Sequence, residues 1–236
     1  MNSNLTLKIG DTEHSGEEEF RHPNAGYTNF CKALIDNRLN AGMTLTQGQL
    51  SDVLGISLSP LRETLVLLEE YGLVEIKPRA GIRIFYPEVS FIRQNMQFRT
   101  MIEEFALPVF IRNITQNWAI DMRTKHIEIQ NEWLAAKQER DDLIESKSQH
   151  LDRLFHANFV EALGNDSIKD THERIGHNVF LAQKVHQTSF GKSHYLDTIK
   201  EHLLVIDAIE DGDAKTAVAA LGGHFRSAAH RLFIAP

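Results

Sequence analysis

The residues best suited to chemistry in this chain are an acid and three imidazoles. Asp152 and His156 stand four apart in Asp152-Arg153-Leu154-Phe155-His156. On a helix that spacing puts both side chains on one face, beside the apolar line Leu151, Phe155 and Phe159. His202 and His224 lie in two later segments, Glu201-His202-Leu203-Leu204 and Gly222-Gly223-His224-Phe225-Arg226. Imidazole and carboxylate together are ligands for a divalent ion. An Asp/His pair at this spacing also arises by chance among twelve histidines, so on spacing alone hydrogen-bonded core histidines beside a buried aspartate are the favoured reading. A metal-dependent hydrolase with an all-helical domain is the rival function. Its usual signals are missing. His172-Glu173-Arg174-Ile175-Gly176-His177 spaces its histidines by five rather than four, so they diverge on a helix. The chain has no Gly-rich phosphate loop and no nucleophile elbow.

A second set of residues suits DNA. Gly55 permits a tight turn between two short helices, and Ser57 or Ser59 can cap the second. Pro60 is tolerated in the first turn of that helix, where its missing N–H has no intrahelical partner. Ser59 and Arg62 then stand at the end that enters the major groove in helix-turn-helix proteins. Arg62 can pair bidentately with guanine or clamp a phosphate. Thr46 and Gln47 open the shorter helix, and Arg79 and Gly81 lie in a following turn, Pro78-Arg79-Ala80-Gly81. All seven are candidate DNA contacts.

The elements that carry these residues follow from the pattern. The 236 residues allow two modest domains. Residues 1–23 are polar and acidic and are expected to form a mobile tail. A helix starts near Tyr27, buries Phe30, Cys31, Leu34, Ile35 and Leu39, and is expected to end at Gly42. Two more helices follow over 46–54 and 57–71. The β-rich runs 73–77 and 82–86 then read as a two-stranded hairpin. Residues 24–87 therefore form a winged helix-turn-helix. From Val89 the periodicity is helical throughout, over 89–115, 117–139, 141–163, 166–189, 192–212 and 213–233. Pro108 should kink or split the first of these. Residues 88–236 are expected to be an antiparallel helical bundle, so the fold is mainly α.

Charge and composition narrow the function. The net charge of −7 looks wrong for a DNA binder, but residues 1–20 and 88–236 carry it. Residues 21–87 hold seven basic and six acidic side chains, enough for a few placed arginines in a dimer and for modest non-specific affinity. Cys31 is the sole cysteine, which excludes an intramolecular disulfide and a thiolate zinc cluster. No apolar run is long enough for a membrane helix. The first twenty residues lack the charged and apolar regions of a secretory signal. Cytoplasmic residence is expected.

Residues 27–86 resemble the GntR family of regulators, which carry a Gly-Val-Ser-Arg-Thr-Pro-Val-Arg-Glu-Ala-Leu type run and then Leu-Glu-x-x-Gly-Leu-Val. The same places here hold Gly55 to Leu65 and Leu68-Glu69-Glu70-Tyr71-Gly72-Leu73-Val74. Two positions depart: Leu58 replaces the arginine after the first serine, and Gln47-Gly48 replaces an acidic–basic pair. Both remove charged contacts to DNA, which Arg79 and Arg83 in the wing offset in part. Residues 89–233 resemble the helical effector domain (FCD) of the fatty-acid-regulator branch. The likeness rests on Arg99-x-x-x-Glu103, on Leu151 to Phe159 followed by Gly164-Asn165, and on Glu201-His202 leading to 208–214 with His224 beyond. It implies a divalent ion on Asp152, His156, His202 and His224, with zinc first and nickel, manganese or iron(II) also compatible. It further implies a small carboxylate effector, a homodimer and operator DNA as partners, and a ligand-responsive regulator, expected to be a repressor. Arg99 and Asn178 are the candidate effector contacts. For Arg99 an ion pair with Glu103 is an equal reading. His126, His150, His172, His177, His186, His194 and His230 are expected at the surface or behind the ligands.

Overall fold

Asn24 stands just ahead of the first helix. Its side chain accepts a hydrogen bond from the Tyr27 N–H at 3.0 Å and caps α1, Ala25–Ile35. We describe a computed structural model covering residues 22–186 and 190–234; all but the last two residues of the expected tail lie outside the described residues. α1 buries Tyr27, Phe30, Cys31 and Leu34. It stops well before Gly42. Asn37 takes a left-handed φ of 56°, and the Arg38 and Leu39 N–H groups turn back to the Ala33 carbonyl. Asparagine tolerates that conformation, so it ends the helix without a glycine.

α2 (Gln47–Leu54) begins in a capping box between Thr46 and Gln49. Gly55, at φ +64°, turns the chain into α3 (Leu58–Glu70). α1 lies against α3 at Gly26, where a Cβ would sit 2.1 Å from Thr64 Oγ1. β2 (Val74–Lys77) and β3 (Gly81–Ile84) form the expected antiparallel hairpin. A third strand was not foreseen. β1, Thr44–Leu45, pairs with β3 and gives the order β1-β3-β2. Two residues are too few to show an alternating pattern.

The second half is all helix: α4 (Val89–Asn113), α5 (Gln116–Ala135), α6 (Asp142–Glu161), α7 (Asp166–Val185), α8 (Lys192–Glu210) and α9 (Ala214–Ile234). α4 runs unbroken through Pro108, so it does not split there. Ala106, Leu107 and Phe110 are all buried around the proline, and that packing outweighs the lost backbone hydrogen bond. α4 packs on α6, α7 and α9, while α5 packs on α6 and α8. Their core centres on Phe155, Phe159, Trp118 and Trp133. Buried tryptophans need partners for their N–H; Trp118 donates to Asn158 at 3.1 Å and Trp133 to Ser148 at 2.9 Å.

α7 joins the two halves. Leu181 packs into the hydrophobic core of the N-terminal half, the first hydrophobic cluster, with Tyr27, Leu61 and Leu73. The Arg174 guanidinium stands 5.3 Å over the Tyr71 ring, and the His177 ring lies 6.4 Å from Tyr27. Among the described residues no helix is long and apolar enough to cross a membrane.

Candidate metal centre and DNA-reading face

α6 puts Asp152 and His156 on its inner face, α8 supplies His202 and α9 supplies His224. One ligand atom from each of the four lies within 4.8 Å of all the others. Ligand atoms on one ion at ~2.1 Å are at most ~4.2 Å apart, so closing onto an ion needs sub-ångström adjustment. The three histidines are buried, and Asp152 is partly open to a cavity.

The hydrogen bonds decide what the imidazoles can do. Each ring is held at Nδ1: His156 by Glu103, His202 by His126 Nε2 at 3.0 Å, and His224 by Glu201 at 2.9 Å. His156 Nε2 and His202 Nε2 are buried and have no hydrogen-bond partner. They lie 3.7 and 3.6 Å from Asp152 Oδ1. A buried polar atom left without a partner costs roughly 1–3 kcal/mol. Two such atoms facing one carboxylate fit a bound cation better than they fit hydrogen-bonded core histidines.

Charge agrees with this. Desolvation pushes the His156 imidazole down to about 4, with Glu103 opposing. Burial also holds His202 well below its ordinary value, helped by His224 and His156 nearby. Neutral imidazole is the ligating form. Desolvation would raise the Asp152 carboxyl, but His156, Arg99 and His224 outweigh it and keep it below its ordinary value.

Glu103 is the centre of the surrounding network. It is fully buried. One oxygen accepts from Arg99 Nε at 2.8 Å and His172 Nε2 at 2.7 Å, and the other from His156 Nδ1. Desolvation opposes its ionisation, yet His156 and Arg99 hold it well below the usual carboxylate range. Glu201 plays the matching part for His224, with Arg231 bound to both its oxygens at 2.8 and 2.9 Å. Burial raises its carboxyl, but Arg231 and His224 bring it to about 2. Sequence reasoning found Glu103 only as a partner for Arg99. Glu201, Arg231 and the direct role of His126 had no signal in the pattern, because each acts across a helix–helix contact.

A cavity of about 230 Å³ opens beside Asp152, His202 and His224. Arg99 lines it, with Nε on Glu103 and a terminal nitrogen 3.9 Å from Asp152. The ion pair expected as an alternative for Arg99 is therefore present, and the guanidinium still faces the cavity. Asn178 does not line it. Asn178 lies 3.4 Å from Asn95 and borders a separate crevice with Leu73, Phe85 and Phe91. Its helix turns that side toward the N-terminal half, so the structure does not join it to Arg99.

On the other half, Gln47, Ser57, Ser59, Arg62 and Arg79 are all exposed, as is Thr46. Ser57 is the N-cap of α3 but makes no side-chain capping bond. Arg79 sits at the hairpin tip with a left-handed φ of 64°. Gly81 is in β3, and a Cβ there would stand 2.7 Å from the Leu45 carbonyl. That close approach accounts for the glycine without any ligand.

Residues 94–227 match the FCD domain, and residues 31–84 match the gntR family of bacterial regulatory proteins. The chain is a GntR-family regulator with an FCD domain. It is a DNA-binding transcription regulator of the helix-turn-helix type, not an enzyme. A Streptomyces ambofaciens protein described as an uncharacterized HTH-type transcriptional regulator in an unstable DNA locus is 22% identical over 85% of this chain and 80% of its own length. The uncharacterized HTH-type regulator YdhC of Bacillus subtilis is also 22% identical, over 84% and 85%. Among solved structures, E. coli McbR/YncC shares the fold at TM-score 0.65 and 14% identity, over 89% of this chain and 95% of that one. A metal-free FCD domain, that of TM0439, aligns at TM-score 0.50 and 22% identity over 61% of this chain and 93% of that one. The buried Asp/His cluster is the kind of metal site found in FCD domains.

Proposed function

We propose that this regulator is a dimeric repressor whose operator affinity is set by a small carboxylate metabolite bound beside a divalent ion. The observation that carries the reading is the quartet Asp152, His156, His202 and His224, with two partnerless buried Nε2 atoms, beside a cavity lined by Asp152, His202, His224 and Arg99. Zinc is the first choice of ion, and nickel, manganese or iron(II) also suit the ligand set. When bound, the ion supplies a Lewis-acid position for a carboxylate oxygen. Arg99 offers the second anchor through its terminal nitrogens, while Glu103 keeps that side chain in place.

α7 carries the signal. His172 and Val179 line the cavity, while Arg174 and Leu181 touch Tyr71 and the first hydrophobic cluster. His177 borders the cavity and also faces Tyr27. An effector that shifts α7 therefore moves the DNA-reading half with it. Allostery then requires that the effector contact α7 differently in its two placements. Ser59, Arg62 and the wing arginines read the operator; Thr46, Gln47 and Ser57 contact its backbone. The outer face of α4 exposes Phe98, Met101 and Phe105 at 42%, 60% and 67%, a surface suited to the partner subunit. Two heads then meet a palindrome. Residues 24–87 act as the DNA-binding domain and 88–236 as the effector and dimerisation domain.

The test is a two-step titration. Operator duplexes are selected from a random pool with the metal-loaded protein, and organic acids are then screened for release by fluorescence anisotropy. At least one acid should release DNA from wild-type protein and fail with Arg99→Lys. DNA binding insensitive to every acid tried, with metal present, would count against the reading.

A further inference from the structure

His126 is a buried histidine of α5, 1% exposed, whose ring nitrogens face Met122 and His202. Its Nδ1 lies 2.7 Å from the Met122 backbone carbonyl. A carbonyl only accepts, so the His126 proton is on Nδ1. In the neutral ring Nε2 is then an acceptor. That atom lies 3.0 Å from His202 Nδ1, so His202 must donate from Nδ1, and its Nε2 is left with a bare lone pair. We propose that His126 is a positioning residue for the metal centre, passing the direction of the Met122 carbonyl through two rings so that His202 presents an unprotonated Nε2 to the ion.

The inference rests on the metal reading above and goes beyond its four ligands. His156 and His224 are oriented by carboxylates, Glu103 and Glu201, which can only accept when ionised. His202 has no carboxylate behind it. Its ring plane is set by stacking on Phe155, at 4.2 Å between centroids and 20° between planes. Stacking fixes the plane but not the tautomer. Without an acceptor at Nδ1, the proton would gain a partner by moving to Nε2, where Asp152 Oδ1 stands 3.6 Å away. That arrangement closes the site with a hydrogen bond where the ion belongs.

The experiment uses the full-length protein stripped of metal. Long-range proton–nitrogen correlation NMR reads the tautomer of His202, and competition with a chromophoric chelator reads zinc affinity. The metal-free wild type should show His202 protonated at Nδ1. His126→Phe keeps an aromatic ring against Phe155 and removes the acceptor. It should weaken zinc binding by about 10- to 100-fold, the usual effect of losing a partner behind a metal ligand. His126→Gln, whose carboxamide oxygen can accept, should recover most of the loss. His202 protonated at Nε2 in the wild type overturns the proposal, as does zinc affinity in His126→Phe equal to that of the wild type. Wild-type protein that takes up no zinc overturns the metal reading and this inference together.

Discussion

Glu103→Gln is a near-isosteric change that should disable a ligand it does not replace. One Glu103 oxygen receives Arg99 Nε and His172 Nε2, at 2.8 and 2.7 Å. Glutamine can place its carbonyl oxygen there and keep both bonds. Its amide nitrogen then faces His156 Nδ1, where the other carboxylate oxygen now accepts. Two donors cannot share that contact, so the His156 proton must move to Nε2, the atom aimed at the metal position. Rotating the amide is worse, because it sets its N–H groups against two donors. Zinc affinity should fall about 10- to 100-fold, or about 1.4–2.8 kcal/mol. The metal-free protein should also lose about 1.5–3 kcal/mol, because Arg99 loses the opposite charge of Glu103 and keeps only that of Asp152, at 3.9 Å. Glu103→Ala should cost more, roughly 3–5 kcal/mol, by stranding a buried charge. Chelator competition measures the first quantity and denaturant unfolding the second. Glu103→Gln with wild-type zinc affinity and lowered stability would show that the network only supports the fold, and the tautomer argument would fail.

Gly26→Ala puts a methyl group 2.1 Å from Thr64 Oγ1 between α1 and α3; it should cost ~1–3 kcal/mol as overpacking and lower operator affinity with it, and an unchanged melting curve would contradict this. Arg62→Ala should cost ~1–3 kcal/mol of operator binding at unchanged stability, whereas Leu58→Arg, at an exposed position that opens α3, should strengthen binding and steepen its salt dependence by about one phosphate contact; gel shifts across a salt series check both. Acid should destabilise the metal-free protein from near-neutral pH. Burial depresses His177 and His194 to about 4 in the folded state, with Arg153 and Arg231 respectively adding to it. The unfolded chain, with histidines near ~6.5, binds those protons first. The stability is therefore complete above pH ~6.5 and is lost as pH falls toward about 4, and Glu201, near 2 when folded, adds a further loss below pH ~4.5. Denaturant midpoints that rise on acidification across that window would refute the assignment.

Local chemistry explains what could be read from the sequence. The turn at Gly55, Pro60 in a first helical turn and the hairpin at 78–81 are each set by residues a few positions apart, and all three stand where expected. The pairing of Asp152 with His156 is likewise a property of one helix. One departure is local: Asn37 ends α1 ahead of Gly42 by its own left-handed conformation. The others have tertiary causes. β1 exists only because β3 offers it an edge. α4 passes through Pro108 because its neighbours are buried. Asn178 shares a helix with His172 and His177 but points toward Asn95, and only the packing of α4 on α7 reveals that. His126 has no sequence neighbour that marks it. Its role depends on α5 meeting α8.

Metal uptake at Asp152, His156, His202 and His224 is the decisive measurement. Metal-free protein should be loaded separately with zinc, nickel and manganese, freed of unbound ion by gel filtration, and measured by elemental analysis beside Asp152→Ala and His202→Ala. The wild type should retain about one ion per chain and melt at a higher temperature when loaded, since a ligand specific to the folded state stabilises it. Both variants should retain far less and gain no stability. Well-folded wild-type protein that keeps none of the three metals, or variants that bind as the wild type does, would contradict the metal reading.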